Sequence, residues 1–293
     1  MSAVEALQSG SHASWGYSTD EEHAEVLHAF LAAGLSGDER VLYFGDAVEV
    51  RNVLVGLSVD VDTAMLLRTG KLVVGDAEEA YLRDGVFDPG TCVDGFREVA
   101  AQAVFDGYAG IRVAGENTSI IDLPGVRESW YDYEIRVELL TASAPILGLC
   151  CFDRRRCDDR VLALLGSVHR AVVDVAGSAP RLAFTLRGRP DGRLALAGEV
   201  DSFTAPQLKE VLTGPTQHLD DLVIDVSELD FIDSAGVRLL ERLAQGRGAH
   251  RRPMTLVGAT SHLQSIWPLV HPPDASALVV RRDPLPGVLA AVP

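Results

Sequence analysis

Apolar and polar positions alternate along this chain in two rhythms, and the switching between them outlines its elements. Ser18 and Glu21 have capping-box spacing, and apolar residues at Ala24, Leu27 and Leu31 recur behind them at helical intervals, with Gly34 placed to end the helix. Residues 40–44 read as a short buried strand, 46–57 as a helix, 72–74 as a strand and 77–83 as a helix. A long helix is predicted over 91–106, closed by Gly107, then a strand over 110–114. Residues 129–140 are helical in pattern, 146–152 form an apolar strand, and 158–165 another helix. Such strand–helix alternation predicts an α/β domain with a mostly parallel sheet covered by helices on both faces.

The pattern restarts after a small-residue segment at 176–180, which reads as a linker. Strands over 181–187 and 193–197 flank a Pro190-Asp191-Gly192 turn. Helices are then predicted over 205–212, 237–244 and 263–270, and strands over 222–226, 254–257 and 277–280. An opening hairpin followed by strand–helix units predicts a second, smaller α/β domain. A length of 293 residues accommodates both, since one domain takes about 150.

Charge sharpens this division. Residues 1–178 hold 29 acidic and 14 basic residues, a net of −15; the remainder hold 13 and 12, a net of −1. So acidic a first domain repels phosphate backbones, and the densest basic cluster, Arg154-Arg155-Arg156, is flanked by Asp153, Asp158 and Asp159. Nucleic acid is not an expected partner. No apolar run approaches the ~18 residues of a membrane span, and the first ten residues lack the basic start and apolar core of a signal peptide, so a cytoplasmic location is expected. The four cysteines lack the paired spacing of zinc sites and are expected as reduced, packed thiols. Cys150 and Cys151, neighbours on one strand, should point to opposite faces. No metal and no cofactor is expected.

One serine stands out. The apolar run 222–226 leads to Phe231, Ile232, Asp233 and Ser234, with Ala235 and Gly236 opening the next helix. Ser234 could be merely the N-cap of that helix. That is the default for a serine in this place, but it could instead be a phosphoacceptor: the positive end of a helix tolerates added negative charge, and Gly236 would leave the hydroxyl uncovered. A phosphate would bring about −1.5 to −2 charge beside Asp230 and Asp233 and repel a docked partner.

Residues 198–205, with Asp201 and Thr204, followed by the 222–226 strand and Asp233-Ser234-Ala235-Gly236, resemble the STAS domain of anti-sigma factor antagonists and anion-transporter tails. The resemblance spans 181–283. It implies that Ser234 is the serine phosphorylated by serine-kinase anti-sigma factors and that Asp201 lies near the docking surface, with Asp233, Ala235 and Gly236. The lack of a membrane segment sets the transporter version aside. What is then implied is partner switching: the unphosphorylated form binds the anti-sigma factor and the phosphorylated form releases it.

The first domain carries an ordered series: His12 with Tyr17-Ser18; Gly34 to Glu39; Tyr81 to Asp88; Gly107-Tyr108 to Arg112; Tyr133-Glu134; Cys150 to Asp153; and His169. Their order over 10–176 resembles the MEDS domain, a sensory module of methanogen and methylotroph regulators, related to RecA-like ATPases. That relationship implies a RecA-like sheet. A small-molecule pocket near Arg112, Glu116 and Tyr133 is expected, although Trp130, Tyr131 and Tyr133 also have the spacing of a helix core face, and His12 and His169 suit packed or surface positions. At 116–120 the sequence departs from relatives that carry a tryptophan after a Met-Ser pair.

These readings converge on a non-enzymatic signalling regulator, a sensory domain fused to an anti-sigma factor antagonist, with homo-oligomerisation left open. A stressosome-like scaffold subunit is the alternative from another class. A nucleotide-dependent enzyme is the third, and it lacks the glycine loop with lysine and hydroxyl that cradles phosphate: Lys71 is followed by Leu72, and the other lysine, Lys209, lies in the second domain.

Overall fold

A computed structural model describes residues 4, 6–175, 177, 179–248, 254–270 and 278–281. The chain divides into two compact units, Met1–Arg181 and Leu182–Pro293. Residues 176 and 178 of the expected linker, 277 of the expected last strand, and 282–283 lie outside the described residues.

In chain order the first unit contains β1 (His12–Tyr17), α1 (Asp20–Ser36), β2 (Arg40–Gly45), α2 (Ala47–Leu57), α3 (Thr63–Thr69), β3 (Leu72–Asp76) and α4 (Ala77–Tyr81). It continues with β4 (Leu82–Arg83), β5 (Val86–Phe87), α5 (Pro89–Phe105), β6 (Ile111–Glu116), α6 (Thr118–Ile121), α7 (Val126–Thr141), β7 (Ile146–Asp153), α8 (Asp159–Ser167) and β8 (Ala171–Val172). Six strands form one sheet in the order β3-β2-β6-β7-β1-β8, and every pairing in it is parallel. The expected α/β class is therefore what the chain adopts.

Side-chain alternation sorts this sheet into two faces. Trp15 and Tyr17, Val41 and Tyr43, Ala114, and Leu147, Leu149 and Cys151 pack with Leu27, Phe30 and Leu31 of α1 and Leu57 of α2. His12, Val113, Gly115, Gly148 and Cys150 lie on the other face with Tyr133 and Leu140 of α7. Cys150 and Cys151 thus point apart, and all four cysteines are buried and free.

Three local expectations are corrected. Thr19, not Ser18, caps α1, accepting from Glu22 N–H while the Glu22 carboxylate takes the Ser18 N–H at 2.9 Å. Gly34 does not end that helix; it is buried within it, because a Cβ there would come within 2.7 Å of both Arg112 and Val41, and the stop is Gly37. The helix beginning at Ala77 ends at Tyr81 rather than 83, since Asp84 (φ 53°) and Gly85 (φ 76°) turn the chain into the β4–β5 hairpin.

The second unit comprises β9 (Phe184–Gly188), β10 (Leu194–Val200), α9 (Ala205–His218), β11 (Leu222–Asp225), β12 (Leu229–Ile232), α10 (Ser234–Gly248), β13 (Met254–Val257), α11 (Ser261–Val270) and β14 (Leu278–Val280). Its mixed sheet runs β12-β10-β11-β13-β14, with β9 antiparallel to β10 across the predicted turn. The segment before Ser234, expected as a loop, contains β12, whose Ile232 lies beside Val200 of β10.

Candidate functional site

In the second unit, Ser234 is the first helical residue of α10 and is exposed. The capping role belongs to its neighbour: Asp233 Oδ1 accepts from the N–H of Ala235 (2.7 Å) and Gly236 (3.0 Å). The other oxygen, Asp233 Oδ2, accepts from Ser202 N–H at 3.1 Å and so ties the β12–α10 junction to the β10–α9 loop. Asp201 stands at the head of that loop, where its Oδ1 accepts from Phe203 N–H and Thr204 N–H, both at 2.9 Å. Backbone donors from Thr204 and Phe203 hold its carboxyl below the usual carboxylate range. Asp201 and Asp233 therefore set the shape of this surface. Gly236 has a different purpose from the one expected. A Cβ there would meet Val200 and Ile232 at 2.8 Å, so it permits α10 to sit close to the sheet rather than merely uncovering the hydroxyl. Near this junction two exposed aromatic side chains stand out: Phe203, 84% exposed, and Phe231, which stacks on His262 with centroids 5.5 Å apart.

In the first unit, the residues expected to share a pocket do not meet: Arg112 and Glu116 lie apart on one face of the sheet and Tyr133 lies on the other. Arg112, second in β6, is buried as an anchor: its Nε donates to Glu39 Oε2 at 2.6 Å, its Nη1 to Phe30 O at 3.2 Å, and its guanidinium lies over the Phe30 ring. Glu116 ends the same strand, four residues or roughly 13 Å away. Tyr133 sits on the opposite face, beside Tyr81, Trp130 and Phe87. Parity along β6 decides this, because Arg112 and Glu116 share the α1 face whereas Val113 and Gly115 face α7.

Glu116 does line a cleft, one with a volume of about 290 Å³ at the carboxyl ends of β1, β2, β6 and β7, where ligands of open parallel sheets bind. Tyr17, His23, Glu49, Asp153 and Arg155 border it as well. Burial pushes the Glu116 carboxyl up to about 8, with Glu49 adding to the effect, and drives His23 down to about 4. The cleft floor is accordingly a neutral acid and a neutral imidazole at pH 7, with Tyr17 stacked on His23 at 4.3 Å. Arg155 pairs with Asp20 and Asp153, and Arg156 with Asp122, so the cations at its rim are already neutralised. Only Ser18 and Thr19 separate β1 from α1, and the first turn of α1 carries Asp20, Glu21 and Glu22. Three carboxylates occupy the helix end that would otherwise welcome phosphate. Sequence reasoning named Glu116 but missed His23, Glu49 and Asp153, which strand register together with the packing of α1 and α2 gathers.

A sensory-domain family model, MEthanogen/methylotroph, DcmR Sensory domain, matches residues 11–170. The chain belongs to the MEDS family. A second model, of the Mlab, STAS domain, matches residues 184–270, following the MEDS region directly. Among solved structures, the anti-sigma factor antagonist SpoIIAA in its unphosphorylated form is similar at 18% identity, covering 30% of this chain and 83% of that one, with a TM-score of 0.26. No curated protein matches. Among the described residues of the MEDS region and beyond it, no helix is long and apolar enough to cross a membrane.

Proposed function

We propose that this chain is a cytoplasmic, non-enzymatic signalling regulator in which a sensory domain (10–176) adjusts an anti-sigma factor antagonist domain (181–283). The antagonist domain binds a serine-kinase anti-sigma factor through the surface around Ser234. Phosphorylation of Ser234 then releases that partner. One observation carries this reading: Ser234 is exposed at the start of α10 while Asp233 performs the capping. The hydroxyl can accept a phosphate without costing the helix its cap, and the incoming charge lands on the helix's positive end. Repulsion would fall on the partner, next to Asp230 and Asp233, and exposed Phe203 and Phe231 supply apolar anchors for that partner.

The cleft at Glu116 supports sensing of a small ligand. Its neutral floor and paired rim cations favour an uncharged compound over a phosphorylated one. Coupling the two events requires that the ligand bind one state of the protein more tightly than the other.

The test mixes the full chain with serine-kinase anti-sigma factors and ATP and maps phosphate by mass spectrometry. Phosphate is expected on Ser234, lost in Ser234→Ala, and binding is expected to weaken in Ser234→Asp. If none of these kinases binds the wild-type chain, the switching role is wrong. A megadalton particle in light scattering would favour a scaffold instead.

A further inference from the structure

Beneath α7, on the sheet face away from the cleft, four side chains that are far apart in sequence converge. His12 comes from β1, Glu134 from α7, Cys150 from β7, and His169 from just beyond α8; all four are buried, and their ligand atoms lie within 4.8 Å of one another. His12 Nε2 is 3.3 Å from Glu134 Oε2 and 3.5 Å from Cys150 Sγ. His169 Nε2 is 3.4 Å from the same Glu134 oxygen, and Cys150 Sγ is 3.9 Å from it. In a tetrahedron with metal–nitrogen and metal–oxygen bonds near 2.0–2.1 Å and metal–sulfur near 2.3 Å, neighbouring ligand atoms are separated by roughly 3.3–3.6 Å. The four separations just given are close to that size, and the whole set, within 4.8 Å, closes to a tetrahedron with side-chain shifts of about an ångström.

We propose that His12, Glu134, Cys150 and His169 form a closed, four-ligand site for a divalent zinc-type cation.

An ordinary buried hydrogen-bond network is the competing account, and His169 argues against it. Its Nδ1 lies 2.7 Å from the Leu165 carbonyl, which can only accept, so Nδ1 carries the proton. Nε2 is then directed at the Glu134 carboxylate with no hydrogen-bond partner, in a fully buried place. With the proton on Nδ1, the Nε2 lone pair faces a carboxylate oxygen 3.4 Å away. A cation between them turns that repulsion into two coordinate bonds.

The surroundings are those of a supported metal site. Trp130 Nε1 donates to the other Glu134 oxygen at 2.6 Å, leaving Oε2 for the ion. Glu138 Oε2 lies 3.3 Å from His12 Nδ1, and it also accepts from Arg170 N–H at 3.3 Å. Opposite His12 the neighbouring strand has Gly148, where a Cβ would lie 3.4 Å from the imidazole. On binding, the Cys150 thiol would release its proton to solvent, so that one thiolate and the Glu134 carboxylate balance the two charges of the ion between neutral imidazoles. One thiolate, two imidazoles and one carboxylate suit zinc and disfavour calcium or magnesium, which demand oxygen ligands. Four protein ligands leave no open position for substrate, so the ion would staple the first strand to the end of the domain.

The experiment titrates Co²⁺ into the chelator-treated full chain, and separately measures zinc in chain expressed in zinc-supplemented medium. Expected are about one metal per chain and the intense visible absorption of tetrahedral cobalt, with a near-ultraviolet thiolate-to-metal band that excess Zn²⁺ abolishes. Cys150→Ser should lose the thiolate band while Cys151→Ser, whose side chain faces the other way, keeps it. A folded wild-type chain that neither gives the cobalt spectrum nor carries zinc as expressed overturns the site, as does an undiminished thiolate band in Cys150→Ser.

Discussion

Asp233 and Ser234 are adjacent, and the structure assigns them separable duties that two alanine substitutions can tell apart. Asp233→Ala removes a cap serving the N–H groups of Ala235 and Gly236 and a bond to Ser202 N–H. Caps are worth about 1 kcal/mol, up to ~2, and a partly exposed backbone bond adds ~0.5–1 kcal/mol. A loss of about 2 kcal/mol raises the opening equilibrium of α10 by roughly 30-fold. Ser234→Ala removes no capping bond, and alanine favours helices, so its effect should stay within about 0.5 kcal/mol. Hydrogen exchange of the full chain, read on peptides from α10, measures both. Kinase-dependent phosphorylation should vanish in Ser234→Ala, whereas Asp233→Ala keeps the acceptor. Equal loss of α10 protection in the two variants would refute the division of labour, because Ser234 would then be the cap.

Other consequences are as direct. Phe203→Ser should weaken binding of the anti-sigma partner by 10-fold or more while leaving the melting temperature unchanged, as isothermal titration and calorimetry would show, since that ring is 84% exposed. Gly34→Ala forces a methyl group against Arg112 and Val41 and disturbs the Arg112–Glu39 pair, and a cost of about 1–3 kcal/mol should appear as a lower unfolding midpoint of the MEDS region. Glu116 has a folded-state pKa of about 8 against an ordinary 4.5, so the folded state binds the extra proton and stability falls as pH rises from 4.5 to 8. Glu116→Gln should abolish that share of the decline in denaturation measured across the interval; parallel wild-type and variant curves would contradict it.

The strand–helix rhythm made the α/β class and nearly every helix legible, since burying one face of a helix or strand leaves a period that survives in the sequence. Punctuation was less legible. Gly34 resembles a helix stop, yet the arginine and valine packed over it are what require glycine, and they lie on other strands. The Asp84-Gly85 hairpin was hidden because two-residue strands cannot show alternation, and the strand Leu229–Ile232 because its two central residues are both exposed and break the alternation.

By itself the sequence determined the two-part organisation, the acidic first domain without a phosphate loop, and Ser234 opening a helix after an apolar strand. Those depend on local periodicity, composition and adjacent residues. Tertiary structure decided what meets what. Strand parity put Tyr133 across the sheet from Arg112 and Glu116, and parallel pairing gathered Tyr17, Glu116 and Asp153 at one edge. The same pairing, with α7 laid over it, brought His12, Glu134, Cys150 and His169 within a few ångströms despite more than 150 residues between the first and last. Such encounters arise from register and packing between distant segments, and no spacing along the chain encodes them.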